Sequence, residues 1–190
     1  MSKLPETSAP ITELIRDRWS PRSFDVTYEI SDENLLSILE AARWAPSAMN
    51  AQPWRFSVAK RGTDLHAKVA QGLSGFNKAW APNASVLVVV SILKDEEGNS
   101  SKKHFYDAGL SVMLMTLQAQ ALGLHSHQMA GISPAKIAES LEIPAEYEVA
   151  LVVAIGKRDE PEKLEEAARE RELAPRTRLD LSEIVLHGLP

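Results

Sequence analysis

Apolar residues recur at helical spacing in some stretches of the chain and at strand spacing in others, which predicts helices and strands interleaved around one sheet. Helices are predicted over residues 11–19, 63–73 and 105–122, with two more opened by Ser31 and Ser133. Strands are predicted over residues 55–60, 86–93, 124–129 and 148–156. Residues 86–93 are almost all apolar and largely β-branched, so we place that strand at the centre of the sheet with both faces covered.

The tail of the chain differs in composition from the rest. Residues 157–172 are dominated by charge and offer as apolar contacts only Leu164, Ala167 and Ala168. We therefore expect a polar helix or arm that leaves the domain and lies across a second subunit. A short terminal element with Leu179, Leu181, Ile184 and Val185 follows. The prediction is a single domain over residues 1–190, with a core at 11–156 and a charged arm with a terminal element at 157–190.

Composition and charge exclude several classes of protein. The 190 residues carry a net charge of −5, which leaves no basic surplus for binding a nucleic-acid backbone. The absence of cysteine removes disulfides, thiolate nucleophiles and cysteine-bound metals. We find no export signal, and the apolar run at residues 86–93 is too short to cross a membrane. We expect a cytoplasmic protein that binds neither nucleic acid nor membrane.

Two basic clusters near opposite ends of the chain are suited to gripping a phosphate. They consist of Arg18, Ser20 and Arg22, and of Arg176 and Arg178. Arginine presents a fork of donors that matches phosphate oxygens, and a hydroxyl can complete the cradle. If the fold joins the clusters, the chain holds a phosphorylated ligand without a glycine-rich loop. The alternative is a solvated helix end where the arginines pair with Asp17 and Asp25.

A loop between Pro46 and Pro53 carries two amides and a hydroxyl, which suit the edge of a heteroaromatic ring. These groups belong to Ser47, Asn50 and Gln52. The alternative is a purely structural turn, and we place the neighbouring Trp54 in the core.

Two further places offer polar groups to a ligand. Asn77 precedes the turn at residues 80–82 and is either a turn residue or a ligand contact. Met129, Ala130 and Gly131 end a predicted strand, where free backbone N–H groups either face a cleft or belong to an ordinary loop.

Metal, hydrolase and phosphoryl-transfer chemistry have little support in the sequence. His125 and His127 share one face of a predicted strand, but no third ligand stands at metal-like spacing, so we expect no metal site. The sequence lacks a nucleophile elbow, a Walker loop and a Rossmann fingerprint.

Two spaced motifs resemble those of the nitroreductase family of flavin-dependent oxidoreductases. Arg-x-Ser-x-Arg-x-Phe is matched by Arg18, Ser20, Arg22 and Phe24. Pro-Ser-x-x-Asn-x-Gln-Pro-Trp is matched by Pro46, Ser47, Asn50, Gln52, Pro53 and Trp54. The resemblance runs from about residue 11 to residue 185 and extends to Asn77, Asp107, Arg176 and Arg178. Trp19 stands where many relatives have a second arginine.

The resemblance implies an α+β fold in three layers, with a central mixed, mainly antiparallel sheet flanked by helices. A C-terminal arm would cross to the partner of an obligate homodimer, with one FMN, tightly and non-covalently bound, in each of two interface clefts. The implied phosphate ligands are Arg18, Ser20, Arg22, Arg176 and Arg178, with Trp19 beside them. Asn77 would reach the pyrimidine edge, and the backbone of Met129, Ala130 and Gly131 would line the ring. From the partner subunit would come Pro46, Ser47, Ala48 and Gln52, with Asn50 of the same loop also a cofactor contact.

The implied activity is hydride transfer from NAD(P)H through flavin N5 to a nitroaromatic, quinone or other small organic acceptor, by a ping-pong mechanism. Because the flavin supplies the reactivity, no catalytic side chain is expected. Two alternatives stay open: an FMN-dependent oxidase or dehydrogenase of a specific metabolite, and a flavin-binding protein without turnover.

Overall fold

The computed structural model describes residues 3–188. Its helices are α1 (Glu13–Asp17), α2 (Asp32–Arg43), α3 (Asp64–Gln71), α4 (Lys102–Ala121), α5 (Pro134–Ser140), α6 (Glu166–Leu173) and α7 (Leu181–Ile184). Its strands are β1 (Trp54–Lys60), β2 (Val86–Leu93), β3 (His125–Met129) and β4 (Tyr147–Gly156). Within this range, no helix has the length and apolar character needed to cross a membrane.

The strands form one sheet in the order β1-β2-β4-β3, and each neighbouring pair is antiparallel. β2 lies in the interior of the sheet, as its apolar sequence predicts. β1 and β3 are the two edge strands, so residues next to them lie at opposite sides of the molecule. In the part of the chain described here, the sheet has no parallel pairing, although a mixed sheet was expected.

Helices cover both faces of this sheet, which confirms the three-layer α+β prediction. On β2, Val86, Val88 and Val90 pack with side chains of α2 and α4. Leu87 and Val89 face the opposite way, toward α3 and α5. Each such side chain, when fully buried, contributes about 1.5–3 kcal/mol to folding.

The predicted helix over residues 11–19 is shorter than expected. α1 ends at Asp17, and Arg18 has extended backbone angles (φ −69°, ψ 128°). Ser20 precedes Pro21, and a residue before proline avoids the helical region. The chain therefore leaves α1 early and continues as an extended segment.

The charged tail folds back onto its own chain, which corrects the expectation that it leaves the domain. Ala168 and Glu172 of α6 are only 1% and 3% exposed, and Leu164 packs against the core. α6 is held on the domain because the Glu172 carboxylate accepts hydrogen bonds from the extended segment after α1. The composition of the tail does not reveal this contact. Beyond α6, most described residues are exposed, and the crossing to a partner subunit stays a prediction.

Candidate functional site

The extended segment at residues 18–24 follows the β3 edge of the sheet, and distant residues satisfy its backbone groups. The His127 ring on β3 donates from Nδ1 to the carbonyl oxygen of Pro21 over 2.9 Å. Burial lowers the pKa of His127 to about 4, so the ring is neutral near pH 7. At the other end of the segment, Phe24 forms a β-bridge with Arg158. The segment is thus attached to the middle of β3 and to the residues just after β4.

Arg176 brings the second basic cluster to the first at Arg18, which meets the condition set for a shared phosphate grip. Its Nη1 donates to the carbonyl oxygens of Lys3 (2.9 Å) and Arg16 (2.6 Å). Its Nη2 donates to the carbonyl oxygen of Arg18 over 2.8 Å. A guanidinium has five N–H donors, so three of them are used on backbone carbonyls. Arg176 therefore stabilises the end of α1, where carbonyls lack helical partners.

Arg18, Arg176 and Arg178 line one cavity of about 330 Å³, and among residues 3–188 its lining includes one carboxylate, that of exposed Glu6. Burial, and then the charges of Arg176 and Arg178, lower the pKa of Arg18. Three cations facing one another repel, and a bound anion would relieve that repulsion. The cavity therefore has the charge of an anion site.

The alternative of a solvated, charge-paired helix end does not describe this cluster. Asp17 is paired with Arg16 over 2.7 Å. The Asp25 carboxylate accepts from the backbone N–H and hydroxyl of Thr27 at 2.8 and 2.7 Å. The two carboxylates considered as partners for Arg18 and Arg22 are thus engaged elsewhere.

Arg22 has different electrostatic surroundings from Arg18. Burial lowers its pKa most, the charge of Glu172 opposes that change, and the charge of Arg171 adds to it. The charged neighbours of Arg22 are thus Lys3 and residues of α6, whereas those of Arg18 are Arg176 and Arg178.

Trp19 and Ser20, also predicted at the cofactor, lie outside the arginine cavity. The Trp19 ring lies between two cations, with Lys3 Nζ at 4.6 Å and the Arg158 guanidinium carbon at 5.9 Å from its centroid. Ser20 is half-buried, and its backbone faces His127.

Glu172 is a positioning residue that sequence reasoning missed. Its Oε2 accepts from the N–H of Arg22 over 2.8 Å, and its Oε1 accepts from the N–H of Ser23 over 3.4 Å. The Lys3 ammonium donates to its backbone carbonyl. Burial raises the pKa of the Glu172 carboxyl, and the two N–H groups and the charges of Arg22 and Lys3 oppose the rise. A buried carboxylate needs such partners, and here they fix the backbone of the motif.

Asn77 and Gly131 meet at the far end of the β3 edge, as expected of two groups that share one ligand. Asn77 Nδ2 donates to the carbonyl oxygen of Gly131 over 3.0 Å. A Cβ at position 131 would lie 2.7 Å from that nitrogen, so a larger residue there would displace the end of the Asn77 side chain. Ala130 and Gly131 are exposed, whereas the Met129 side chain is in the core.

Trp80 connects this end of the site to the arginine segment. Its ring centroid lies 4.5 Å from that of His127 and 6.2 Å from that of Phe24. The arginine segment, β3 and the Asn77 turn therefore form one continuous half-site along the β3 edge.

The loop at residues 46–53 lies elsewhere, before β1 on the opposite edge of the sheet. Its Ala48 N–H donates to Asp107 Oδ2 on α4 over 3.0 Å, and its Gln52 N–H donates to Ser47 Oγ over 3.0 Å. Three of its residues have positive φ, namely Met49 (54°), Asn50 (55°) and Gln52 (46°). Such backbone is uncommon for residues other than glycine and marks a loop held in one shape by its surroundings. The structure does not bring this loop to the half-site of its own chain.

The sequence model of the nitroreductase family matches residues 15–79 and 67–157 of this chain. The chain belongs to the nitroreductase family. The match includes the first arginine motif, the amide-rich loop, Asn77 and the end of β3.

Relatives with known names or structures agree with this membership. An oxygen-insensitive NADPH nitroreductase of Helicobacter pylori J99 is 36% identical over 121 residues, which cover 62% of this chain and 57% of that enzyme. A crystal structure described as an oxidoreductase containing FMN is 38% identical, with a TM-score of 0.90 and 100% of this chain and 97% of that chain covered. A Desulfovibrio desulfuricans protein, assigned as a nitroreductase and solved with FMN, is 27% identical, with a TM-score of 0.77 and coverage of 96% and 99%. The chain thus spans little more than half of the H. pylori enzyme.

Arg176 and Arg178 should differ in their effect on the FMN-free protein. Arg176→Ala removes three charge-assisted hydrogen bonds to carbonyls, so we expect the free energy of unfolding to fall by about 1.5–3 kcal/mol or more. Arg178→Ala removes only a contact to the neighbouring Thr177 carbonyl and should change it by less than about 0.5 kcal/mol. Chemical denaturation of both FMN-free variants measures the difference, and equal effects would contradict the structural role of Arg176.

Glu172 should make stability depend on pH. Because its pKa is raised above the usual 4.5, the folded protein takes up this proton at a pH where the unfolded chain is still ionised. The contribution to stability is complete below 4.5 and is lost as the pH rises through the folded pKa. We expect the free energy of unfolding of the wild type to rise relative to that of Glu172→Gln as the pH falls from neutral toward 4.5. Denaturation across this range measures it, with exposed Glu170→Gln on the same helix as the control, and a constant difference would refute it.

Proposed function

We propose that the protein is an FMN-dependent NAD(P)H oxidoreductase that reduces a nitroaromatic, a quinone or another small organic acceptor by a ping-pong mechanism. The observation that carries the proposal is the cavity where, in the described part of the chain, Arg18, Arg176 and Arg178 face a single carboxylate. It begins a half-site that ends at the Asn77–Gly131 pair. The relatives named as NADPH nitroreductases, and those containing FMN, support the same assignment.

The residues present fit the parts of FMN. Arg18 and Arg178 have donors for its phosphate, while Arg176 holds the backbone of Arg18 in place at the end of α1. The ring would lie toward Asn77 and Gly131, where the missing Cβ leaves room for the Asn77 amide. Arg22, beside α6, would lie nearer the ring than the phosphate.

When bound, FMN supplies two-electron chemistry by accepting a hydride from NAD(P)H and returning two electrons to the acceptor. The tasks left to the chain are to bind the phosphate, orient the ring and present polar groups to its pyrimidine edge. The Asn77 amide and the Arg22 charge serve the last task, because donors and cations there favour the negative charge of the reduced state. No side chain has to act as an acid or a base.

We propose that two copies of the chain complete each site. The loop at residues 46–53 lies on the edge opposite the half-site, so a two-fold partner would bring its own loop to this cleft. Exposed apolar residues support an interface: Ile11, Ile15 and Met113 beside the arginine cavity, and Trp44, Met49 and Tyr106 near the loop. The last three are 71%, 96% and 70% exposed. Apolar surface of this extent on a single chain indicates a partner.

The cytoplasmic location stays a prediction.

One spectrum tests the function. The purified protein should show flavin absorbance, and NAD(P)H should bleach it within seconds under anaerobic conditions, after which a quinone or nitroaromatic should restore it. Flavin that NAD(P)H does not bleach would favour an oxidase or dehydrogenase of a specific metabolite. Reduced protein that passes electrons to no acceptor would favour a flavin-binding protein. A colourless protein that takes up no FMN would refute all three.

The phosphate assignment predicts a difference between FMN and riboflavin, which lacks the phosphate. Arg18→Ala and Arg178→Ala should each weaken FMN binding by about 1.5–3 kcal/mol, a factor of roughly 10 to 150, because a charge-assisted contact is lost. Riboflavin binding should change little. Quenching of flavin fluorescence on titration measures both affinities, and equal losses for the two ligands would move the phosphate elsewhere.

A further inference from the structure

Arg171 on α6 is held against an aromatic ring while its donors remain open. Its guanidinium carbon lies 4.5 Å from the centroid of the Phe76 ring. The residue is exposed, and between residues 3 and 188 its guanidinium forms no ion pair or hydrogen bond. A guanidinium stacked on a ring loses mobility but keeps its N–H groups for another ligand. Arg171 is thus preorganised for an anion.

Phe76 places this guanidinium at the rim of the half-site. It directly precedes Asn77, whose side chain donates to Gly131 over 3.0 Å. Phe76 is half-buried and packs against the core on the α3 side of the sheet. Arg171 therefore lies beside the ring end of the proposed cofactor cleft, away from the arginines of the phosphate cavity.

The charges around Arg171 make this rim positive. Arg22 is close enough that the charge of Arg171 contributes to lowering its pKa, and exposed Lys78 follows Asn77 in the chain. The neighbouring Glu172 carboxylate is 3% exposed and accepts from two backbone N–H groups, so it does not face the rim. Exposed Glu170 is the other acid next to Arg171 in sequence. On a chain of net charge −5, two neighbouring arginines at this rim form a local positive region that attracts anions.

We propose that Arg171 is a specificity-determining residue that binds the phosphate groups of the dihydronicotinamide nucleotide reductant. The proposal rests on the proposed function, since it assumes that a nicotinamide ring stacks in the cleft at Asn77 and Gly131. Such a ring carries its ribose and phosphates outward across the rim. The arginine held on Phe76 is then positioned for a bidentate contact with phosphate oxygens.

The test compares reductants with and without phosphate. For Arg171→Gln we expect KM for NADH or NADPH to rise about tenfold, the loss of one charge-assisted contact, with kcat within about twofold of wild type. The kinetics with 1-benzyl-1,4-dihydronicotinamide, which has no phosphate, should be unchanged. The Kd of NADP⁺ for the oxidised holoprotein, measured by calorimetry, should rise in parallel. Arg169→Gln, the same charge change on the same helix, is the matched control and should leave all of these values near wild type.

Each outcome decides the assignment. A rise with both NADH and NADPH supports binding of the pyrophosphate, and a rise with NADPH alone supports binding of the 2′-phosphate. Unchanged kinetics with both nucleotides, or equal losses with the phosphate-free reductant, would overturn the role of Arg171 while leaving the proposed function intact. In a further outcome, Arg171→Gln would leave the KM for the nucleotides and for a neutral quinone unchanged but raise the KM for nitrobenzoate. That result would assign Arg171 to an anionic acceptor instead. If neither nicotinamide reduced the flavin, the proposed function would fail and this inference with it.

Discussion

The segment at residues 18–24 has to obtain its backbone hydrogen bonds from distant parts of the chain, and the geometry of the half-site depends on how it does so. An extended segment that is not paired with a strand along its length leaves N–H and carbonyl groups that are costly to bury unpaired. Here Arg176, His127 and Glu172 supply the missing partners. The arginine motif is therefore held by residues that lie more than 100 positions away in sequence, and its position is fixed by tertiary structure.

The sheet order separates the two motifs that make the family recognisable. β1 and β3 are the outer strands, so the loop before β1 and the segment along β3 cannot meet in one copy of the chain. Each has its own support, Asp107 for the loop and Glu172 for the arginine segment. A rigid loop with positive φ at three non-glycine residues is suited to presenting its groups to another surface. The same topology that stabilises the monomer's core thus keeps the loop away from the half-site, and in the proposed dimer a partner's loop would complete each site.

The sequence predicts the parts of the fold that local composition determines. β2 has the predicted bounds because a run of almost exclusively apolar residues is most stable inside the sheet. Ser31 and Thr63 accept from the N–H groups of Asn34 and His66, as capping residues do. The burial of Glu172 was not predictable, because it stands among acidic residues of similar composition and only one of them meets two free N–H groups. The different surroundings of Arg18 and Arg22 were missed for the same reason, since the spacing of a motif does not show which residues face each side chain.

Two adjacent residues of helix α6, Arg171 and Glu172, make contacts on different sides of the helix. Successive side chains on a helix point about 100° apart, so Glu172 turns inward to the backbone of Arg22 and Ser23 while Arg171 turns outward onto Phe76. The helix therefore couples the position of the segment at residues 18–24 to the position of the Arg171 guanidinium. A shift of α6 would change both at once, because the buried carboxylate cannot keep its partners if the helix moves. The charged tail is in this way part of the site's structure and not only a solvated appendage.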